Sequence, residues 1–147
     1  YQVSLKVETL NVNSSGGNNT AIGASALQNN TTASNNTHLG YRAGFANTTG
    51  GNNTALGTQA LEANTTASNN TAVGYWAGYS NATGTHNTYV GRAAGYSSTA
   101  SNNTAMGGSA FTDNTTGASN TAVGTEALNK NTTASYNAAV GYQALYD

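Results

Sequence analysis

Residues 19–23 read Asn-Thr-Ala-Ile-Gly, and this pattern returns seven more times along the 147-residue chain. The steps between the closing glycines are 17, 17, 17, 17, 16, 17 and 17 residues. A period this short and this regular predicts a solenoid or repeat array, in which each repeat packs on its neighbours. The closing glycines are Gly23, Gly40, Gly57, Gly74, Gly91, Gly107, Gly124 and Gly141.

Alignment of the eight copies on their glycine separates fixed columns from variable ones. Asn stands four residues before every glycine, and Ala stands three residues after it. The slot of Ala21 varies, because it also accepts His38 and Tyr89, and we expect it to face solvent or a partner. The residue before the glycine is always apolar: Ile22, Leu39, Leu56, Val73, Val90, Met106, Val123 and Val140.

Each copy predicts one short strand, and successive strand side chains alternate between two faces. We expect Ile22 and its equivalents to form one buried line in the core, while Ala21 points the other way. The Asn column, headed by Asn19, is expected to form a ladder of side-chain amides between rungs. The predicted fold is all-β, a parallel β-solenoid (β-roll) of eight 17-residue rungs preceded by an N-terminal strand.

The two ends of the chain differ from the repeats. Residues 1–15 are predicted to form an N-terminal strand or arm and a linker, and residues 16–147 form the repeat domain. The strand is either a cap on the first rung or an arm that pairs with another chain, and the last copy stops half a rung in. Because an open β-edge favours pairing, we predict a homo-oligomer, either a trimer or a head-to-tail filament, in which residues 1–12 contact a neighbour. The expected assembly residues are Val3, Leu5, Val7, Leu145 and Tyr146.

In the first four repeats the column after the fixed Ala alternates between Leu and Gly: Leu27, Gly44, Leu61 and Gly78. Where it is Gly, as in Gly44, an aromatic residue such as Phe45 follows. We interpret this as exchange of a buried Leu for an aromatic side chain that reaches the same space; an aromatic ladder that binds sugars or a surface is the alternative. The copy between Gly91 and Gly107 lacks one residue, which predicts a tighter corner.

The Asn-Thr-Ala-x-Gly-x-x-Ala repeats resemble the head repeats of trimeric autotransporter adhesins. They are still more similar to NNTAxG-type arrays of phage tail-fibre and bacterial surface proteins that precede a self-cleaving chaperone domain. The resemblance covers residues 18–147. It implies a left-handed parallel β-roll in a trimer, and an extracellular location on a cell surface, on a virion fibre or as a secreted protein.

Composition excludes several kinds of chemistry. Cysteine is absent, charged residues make up 6% of the chain and the net charge is -1. Without a Lys/Arg cluster, neither a nucleic acid nor an anionic membrane is an expected partner. His38 and His86 stand in different columns and the five acids are scattered. We therefore expect no catalytic, cofactor or metal site, and no enzyme.

Asn-x-Ser/Thr sequons concentrate in two columns at the predicted corners, headed by Asn18 and Asn30. Two interpretations remain open. Asn and Thr are common corner residues, so sequons arise from composition; alternatively, the corners carry N-linked glycans. The candidates are Asn18, Asn30, Asn35, Asn47, Asn52, Asn64, Asn69, Asn81, Asn102, Asn114 and Asn131.

These patterns favour a non-enzymatic structural subunit of an extracellular, self-assembling fibre. The alternative is a receptor-binding or adhesion module of a tail fibre or trimeric adhesin, with glycans or a host-surface receptor as partners. A minor alternative is an ice-binding solenoid, since Thr and Asn ladders at strand spacing form a regular lattice. His38, Tyr89 and Ala138 interrupt that lattice in the sequence.

Overall fold

The computed structural model describes residues 2–5 and 12–146, and every regular element in them is a β-strand. Each strand pairs in parallel with the next one in sequence, which makes a single nine-stranded sheet. The predicted parallel β-solenoid is confirmed. The strands are β1 (Gln2–Leu5), β2 (Asn19–Ile22), β3 (Thr37–Leu39), β4 (Thr54–Leu56), β5 (Thr71–Val73), β6 (Thr88–Val90), β7 (Thr104–Met106), β8 (Thr121–Val123) and β9 (Ala138–Val140).

The sheet register follows the repeat. Thr20 pairs with Thr37 and Ile22 with Leu39, one period further along. The corners are bonded between rungs as well, since the Thr48 N–H donates to the Thr65 carbonyl at 2.9 Å. Each rung is therefore held to its neighbours around its circumference and not only at the strand.

The orientation of the strands is opposite to the prediction. The Ala21 column is buried throughout, whereas Leu39 and Met106 of the expected core line are 46% and 43% exposed. The prediction of a buried Ile22 line was wrong. The corner Ala column headed by Ala26 and the Leu at Leu27 already fill the interior, so the strand can add only a small side chain there.

Strand β1 is part of this sheet. Gln2 pairs with Asn19 and Leu5 with Ile22, so residues 2–5 lie one period before β2. This pairing matches the expected cap on the first rung: β2 occupies one edge of β1, and contact of residues 1–12 with a neighbouring chain stays a prediction. Residues 2–5 are thus continuous with the repeat array and not a separate arm. Val7 lies outside the described residues.

Two large side chains occupy the inward column, at His38 and Tyr89, and both are completely buried. Each lies against a corner glycine. A β-carbon built on Gly44 would overlap the His38 ring, and one built on Gly95 would overlap the Tyr89 ring. A glycine at this corner therefore leaves space for a large inward side chain from a strand, His38 or Tyr89. Our interpretation that the following aromatic fills this space was wrong, because those aromatic residues stay partly exposed and are not part of the buried core.

The buried Asn19 column forms a ladder that closes each rung. The Asn19 Oδ1 accepts the backbone N–H of Asn36 in the next rung at 3.0 Å. Its Nδ2 donates to the carbonyl of Ala33 at the far corner, at 2.8 Å. An amide is required because the position uses an acceptor and a donor together, which neither Asp nor a hydrophobic residue supplies. The predicted asparagine ladder is confirmed.

The shortened sixth copy has a smaller second corner, as predicted. Ser98 replaces the Asn of the other corners, and its hydroxyl accepts the Asn114 amide at 3.0 Å. Asn87 reaches Ala100, 13 residues further on, where the other copies span 14. One residue is thus removed without a break in the ladder.

Candidate functional site

The described residues contain no cluster of His, Cys, Asp or Glu able to hold a metal ion, and they enclose no pocket. Among these residues there is also no helix long and apolar enough to cross a membrane. The solenoid presents extended surfaces. Two of them carry side chains suited to binding, namely the outer face of the sheet and a strip of aromatic residues along the first corner.

The outer face of the sheet, here called the Thr–aliphatic face, carries two parallel ladders. One is the Thr column that runs from Thr20 to Thr121 and ends in Ala138; the other is the apolar column from Ile22 to Val140. Parallel pairing in register places like residues side by side on successive rungs, at about 4.8 Å. A solvated sheet face is normally polar, so an aliphatic residue on every rung is unusual.

The first corner, just after the closing glycine, carries the aromatic strip. Tyr75 stacks on Trp76 with ring centroids 4.2 Å apart. Trp76 also meets Tyr96 edge to face at 5.7 Å, and Tyr96 stacks on Tyr79 at 5.1 Å. The corner backbone turns the Trp76 position outward with a φ of 60°. The strip consists of Tyr41, Arg42, Phe45, Gln59, Glu62, Tyr75, Trp76, Tyr79 and Tyr96.

Polar side chains join the two ends of the aromatic strip. Arg42 lies 4.1 Å above the Phe45 ring, and its Nη2 lies 2.7 Å from the Glu62 Oε1. Gln59 donates to Glu62 and accepts the Trp76 indole N–H at 2.9 Å. The pair with Arg42 compensates the Glu62 charge inside a mostly buried setting, as a buried carboxylate requires.

The nearby charge also changes a phenol of the strip. The Glu62 carboxylate raises the pKa of Tyr79 above its ordinary value, and partial burial and Tyr96 act in the same direction. A phenol already keeps its proton at neutral pH, and the shift extends the pH range over which the Tyr79 hydroxyl remains a hydrogen-bond donor. The aromatic residues were noted from the sequence, but the polar network was not. Arg42, Gln59 and Trp76 share one column, and the Glu62 carboxylate that joins them comes from another.

The two sequon columns lie in different environments. The first column is exposed, with left-handed backbone at residues such as Asn18 and Asn52 (φ 57° and 58°). Asn tolerates this conformation better than most residues. The exposed candidates are Asn18, Asn35, Asn52, Asn69 and Asn102.

The second sequon column is buried, so its asparagines are removed from the candidate glycosylation sites. The Asn47 Nδ2 donates to the Gly50 carbonyl at 2.9 Å, and its Oδ1 accepts the Gly50 N–H at 3.1 Å. N-linked glycosylation uses the side-chain Nδ2, and in the folded chain this atom of Asn47 is buried and hydrogen-bonded. The residues unsuited as acceptors for this reason are Asn30, Asn47, Asn64, Asn81, Asn114 and Asn131.

The remaining candidate residues do not meet in one place. His38 is buried in the third strand, whereas His86 is exposed at the second corner. Leu145 is exposed and Tyr146 partly exposed in the last rung. The Tyr146 carbonyl accepts the Lys130 N–H at 3.0 Å, which ties it to its own solenoid.

The fold and its asparagine ladders place the chain in the class of parallel β-solenoids with rungs of about 17 residues. Comparison with protein-family models, with curated proteins and with solved structures found no match. The function is therefore proposed from the surfaces of the chain itself.

Proposed function

We propose that this chain is a non-enzymatic structural segment of an extracellular fibre, and that copies associate side by side through the Thr–aliphatic face. This extends the resemblance to adhesin heads and phage tail fibres. The observation that carries the proposal is the continuous aliphatic ladder on the outside of the sheet. A rod built from identical rungs repeats the same contact along its length, so a weak contact per rung becomes strong over many rungs.

The composition of this face supports association over solvation. Every rung from β2 to β9 places one aliphatic or Met side chain outward, and a contiguous exposed apolar surface marks an interaction site more often than free surface. The flanking Thr column adds hydroxyl groups that hydrogen-bond across an interface without charge. Burial of the ladder would contribute about 25 cal/mol per Å² of apolar surface.

Sedimentation of two variants tests the proposal. Leu56→Lys together with Val73→Lys places two charges in the middle of the ladder, and desolvating them in an interface is costly. The unaltered protein is expected to sediment as an oligomer and the double variant as a monomer of unchanged fold. The matched control is Thr66→Lys together with Thr83→Lys, two exposed positions at the second corner of the same rungs. A monomeric unaltered protein, or equal effects of both pairs, would contradict the proposal.

A second candidate function, ice binding, is favoured by one observation on the same face. His38 and Tyr89 interrupt the polar lattice in the sequence, but both point inward. The Thr column is thus unbroken over seven rungs, from Thr20 to Thr121, with Ala138 after it. Thermal hysteresis measured on the unaltered protein and on Thr71→Lys separates the two candidates. An ice-binding protein shows thermal hysteresis that Thr71→Lys weakens, whereas a fibre subunit shows no thermal hysteresis in either protein.

A further inference from the structure

We propose that the aromatic strip is a binding site for an extended neutral polysaccharide, a chain of pyranose sugars that lies along the solenoid axis. This goes beyond the fibre proposal and does not depend on it. The strip lies at the first corner, on residues that do not contribute to the Thr–aliphatic face. Substitutions that abolish sugar binding should therefore leave self-association intact, and substitutions that abolish self-association should leave sugar binding intact.

The two most exposed rings of the strip lie on one line along the solenoid. Tyr41 and Tyr75 stand in the same column, two rungs apart, and are 51% and 41% exposed. Two rungs correspond to about 10 Å, which is comparable to the length of one disaccharide unit in an extended β-linked glycan. Thr58 lies between them and offers a hydroxyl group. Successive sugar units would meet a ring, then a polar residue, then a ring.

The chemistry of the strip fits a sugar ring. One face of a pyranose presents C–H groups, which are weakly positive and pack on the negative face of an aromatic ring. Its rim presents hydroxyl groups, for which Gln59 and the phenol groups are suitable partners. Tyr75 is held by its stack on Trp76 and Trp76 by its bond to Gln59, so little side-chain entropy is lost on binding.

Charge and shape select the class of glycan. Arg42 and Glu62 neutralise each other in the 2.7 Å pair. The centre of the strip therefore has no net positive charge that would attract a strongly anionic polymer. The absence of an enclosed pocket in the described residues disfavours a small ligand, which normally needs a concave site. A flat strip that crosses several rungs suits a polymer that lies across it.

Affinity electrophoresis tests the proposal with defined probes. Gels contain a soluble mixed-linkage β-glucan, a xyloglucan or a galactomannan, and we expect at least one of them to retard the protein. The same polymer should change the emission of Trp76, which is the single tryptophan of the chain. The variant Tyr41→Ala with Tyr75→Ala should bind about tenfold more weakly, as expected for loss of two ring contacts.

Tyr142→Ala is the matched control, because Tyr142 stands in the same column and is 72% exposed but lies outside the strip. Its binding should equal that of the unaltered protein. Three outcomes would overturn the proposal: no retardation by any neutral polymer, equal retardation of the double variant, or retention only by an acidic polymer that disappears at about 0.15 M salt. Urea denaturation of each variant verifies that these exposed changes leave the fold intact.

Discussion

The Tyr89 ring occupies the place that a side chain at Gly95 would need, since a β-carbon built on Gly95 would overlap the ring. Gly78, one rung before, is constrained in the same way, with its added β-carbon 2.6 Å from the Tyr89 Cδ2. The Tyr89 ring therefore fills interior space next to two corners, since the rung of Ala72 and Gly78 carries neither a Leu nor a large strand residue. In the rung of Ala55, by contrast, the corner supplies Leu61.

This relationship predicts a compensating pair of substitutions. Tyr89→Ala should lower the free energy of unfolding by about 3 to 5 kcal/mol, because it leaves a cavity where a buried ring stood. Gly95→Leu alone should also destabilise, by overlap with the ring. The double variant recreates the Ala–Leu pattern of the rung that holds Ala55 and Leu61. We expect it to recover only part of the loss, because the space that the ring fills at Gly78 stays empty. Urea unfolding of all four proteins measures the coupling; strictly additive losses would contradict a shared space.

The same relationship explains what sequence reasoning could and could not predict. The period, the parallel solenoid and the asparagine ladder follow from spacing alone. The face of the strand does not, because Ala21 and Ile22 are both apolar and nothing local says which one a narrow interior accepts. The available signal was covariation inside the chain, since His38 occurs with Gly44 and Tyr89 with Gly95.

The N-terminal strand was predicted, but the choice between a cap on the first rung and a separate arm stayed open for a different reason. Strand β1 shares no residue identity with Asn19–Ile22, although it lies one period earlier. The signal was Asn13, which stands 17 residues before Asn30 and whose Oδ1 accepts the Asn30 amide at 2.7 Å. The surface network of the aromatic strip could not be predicted, because contacts between columns depend on how the corner folds.

His38 should make stability depend on pH. Complete burial lowers the pKa of His38 from 6.5 to about 4, with the backbone of Ala43 opposing the shift. Between these values the unfolded chain binds a proton that the folded chain does not, so stability falls as pH decreases from about 6.5 towards 4. The loss is about 3 kcal/mol from this group.

The pH effect is measured as the difference between two proteins. His38→Ala with Gly44→Leu removes the buried imidazole and restores the volume, as in the rungs before and after it. Its stability should fall less over the same pH window than that of the unaltered chain. His86→Gln, at an exposed position, should retain the full dependence. Parallel curves for the unaltered and His38-substituted proteins would show that the imidazole does not contribute.

The closing glycines should tolerate no side chain in mid-array. Gly74 has a φ of 134°, and its added β-carbon would lie 2.5 Å from the Gly91 carbonyl oxygen. Gly74→Val should therefore lower the free energy of unfolding by more than the roughly 1 to 3 kcal/mol of ordinary overpacking. Gly108→Val is the control, since nothing lies within 4 Å of its β-carbon position. Both variants are compared by thermal unfolding. Equal losses of stability in Gly74→Val and Gly108→Val would contradict the close stacking of the closing glycines.

Burial predicts where glycans can be attached. When the chain is produced in a host that glycosylates secreted proteins, occupancy should be confined to the exposed column that contains Asn52 and Asn69. The buried column, with Asn47 and Asn64 bonded to the second corner, should be unmodified in folded protein. Glycopeptide mapping by mass spectrometry reads each site. Glycans on Asn47 in protein that unfolds cooperatively would contradict the buried assignment.

The central claim, that copies meet through the Thr–aliphatic face, is tested most directly by cross-linking. The chain has no cysteine, so Val73→Cys introduces a single thiol into the ladder, and Thr83→Cys introduces one at the second corner of the same rung. After mild oxidation, the covalent dimer is quantified by denaturing electrophoresis without reductant. The account predicts rapid dimer formation with Val73→Cys and little with Thr83→Cys. Equal yields from both variants, or a Val73→Cys protein that stays a single chain, would contradict it.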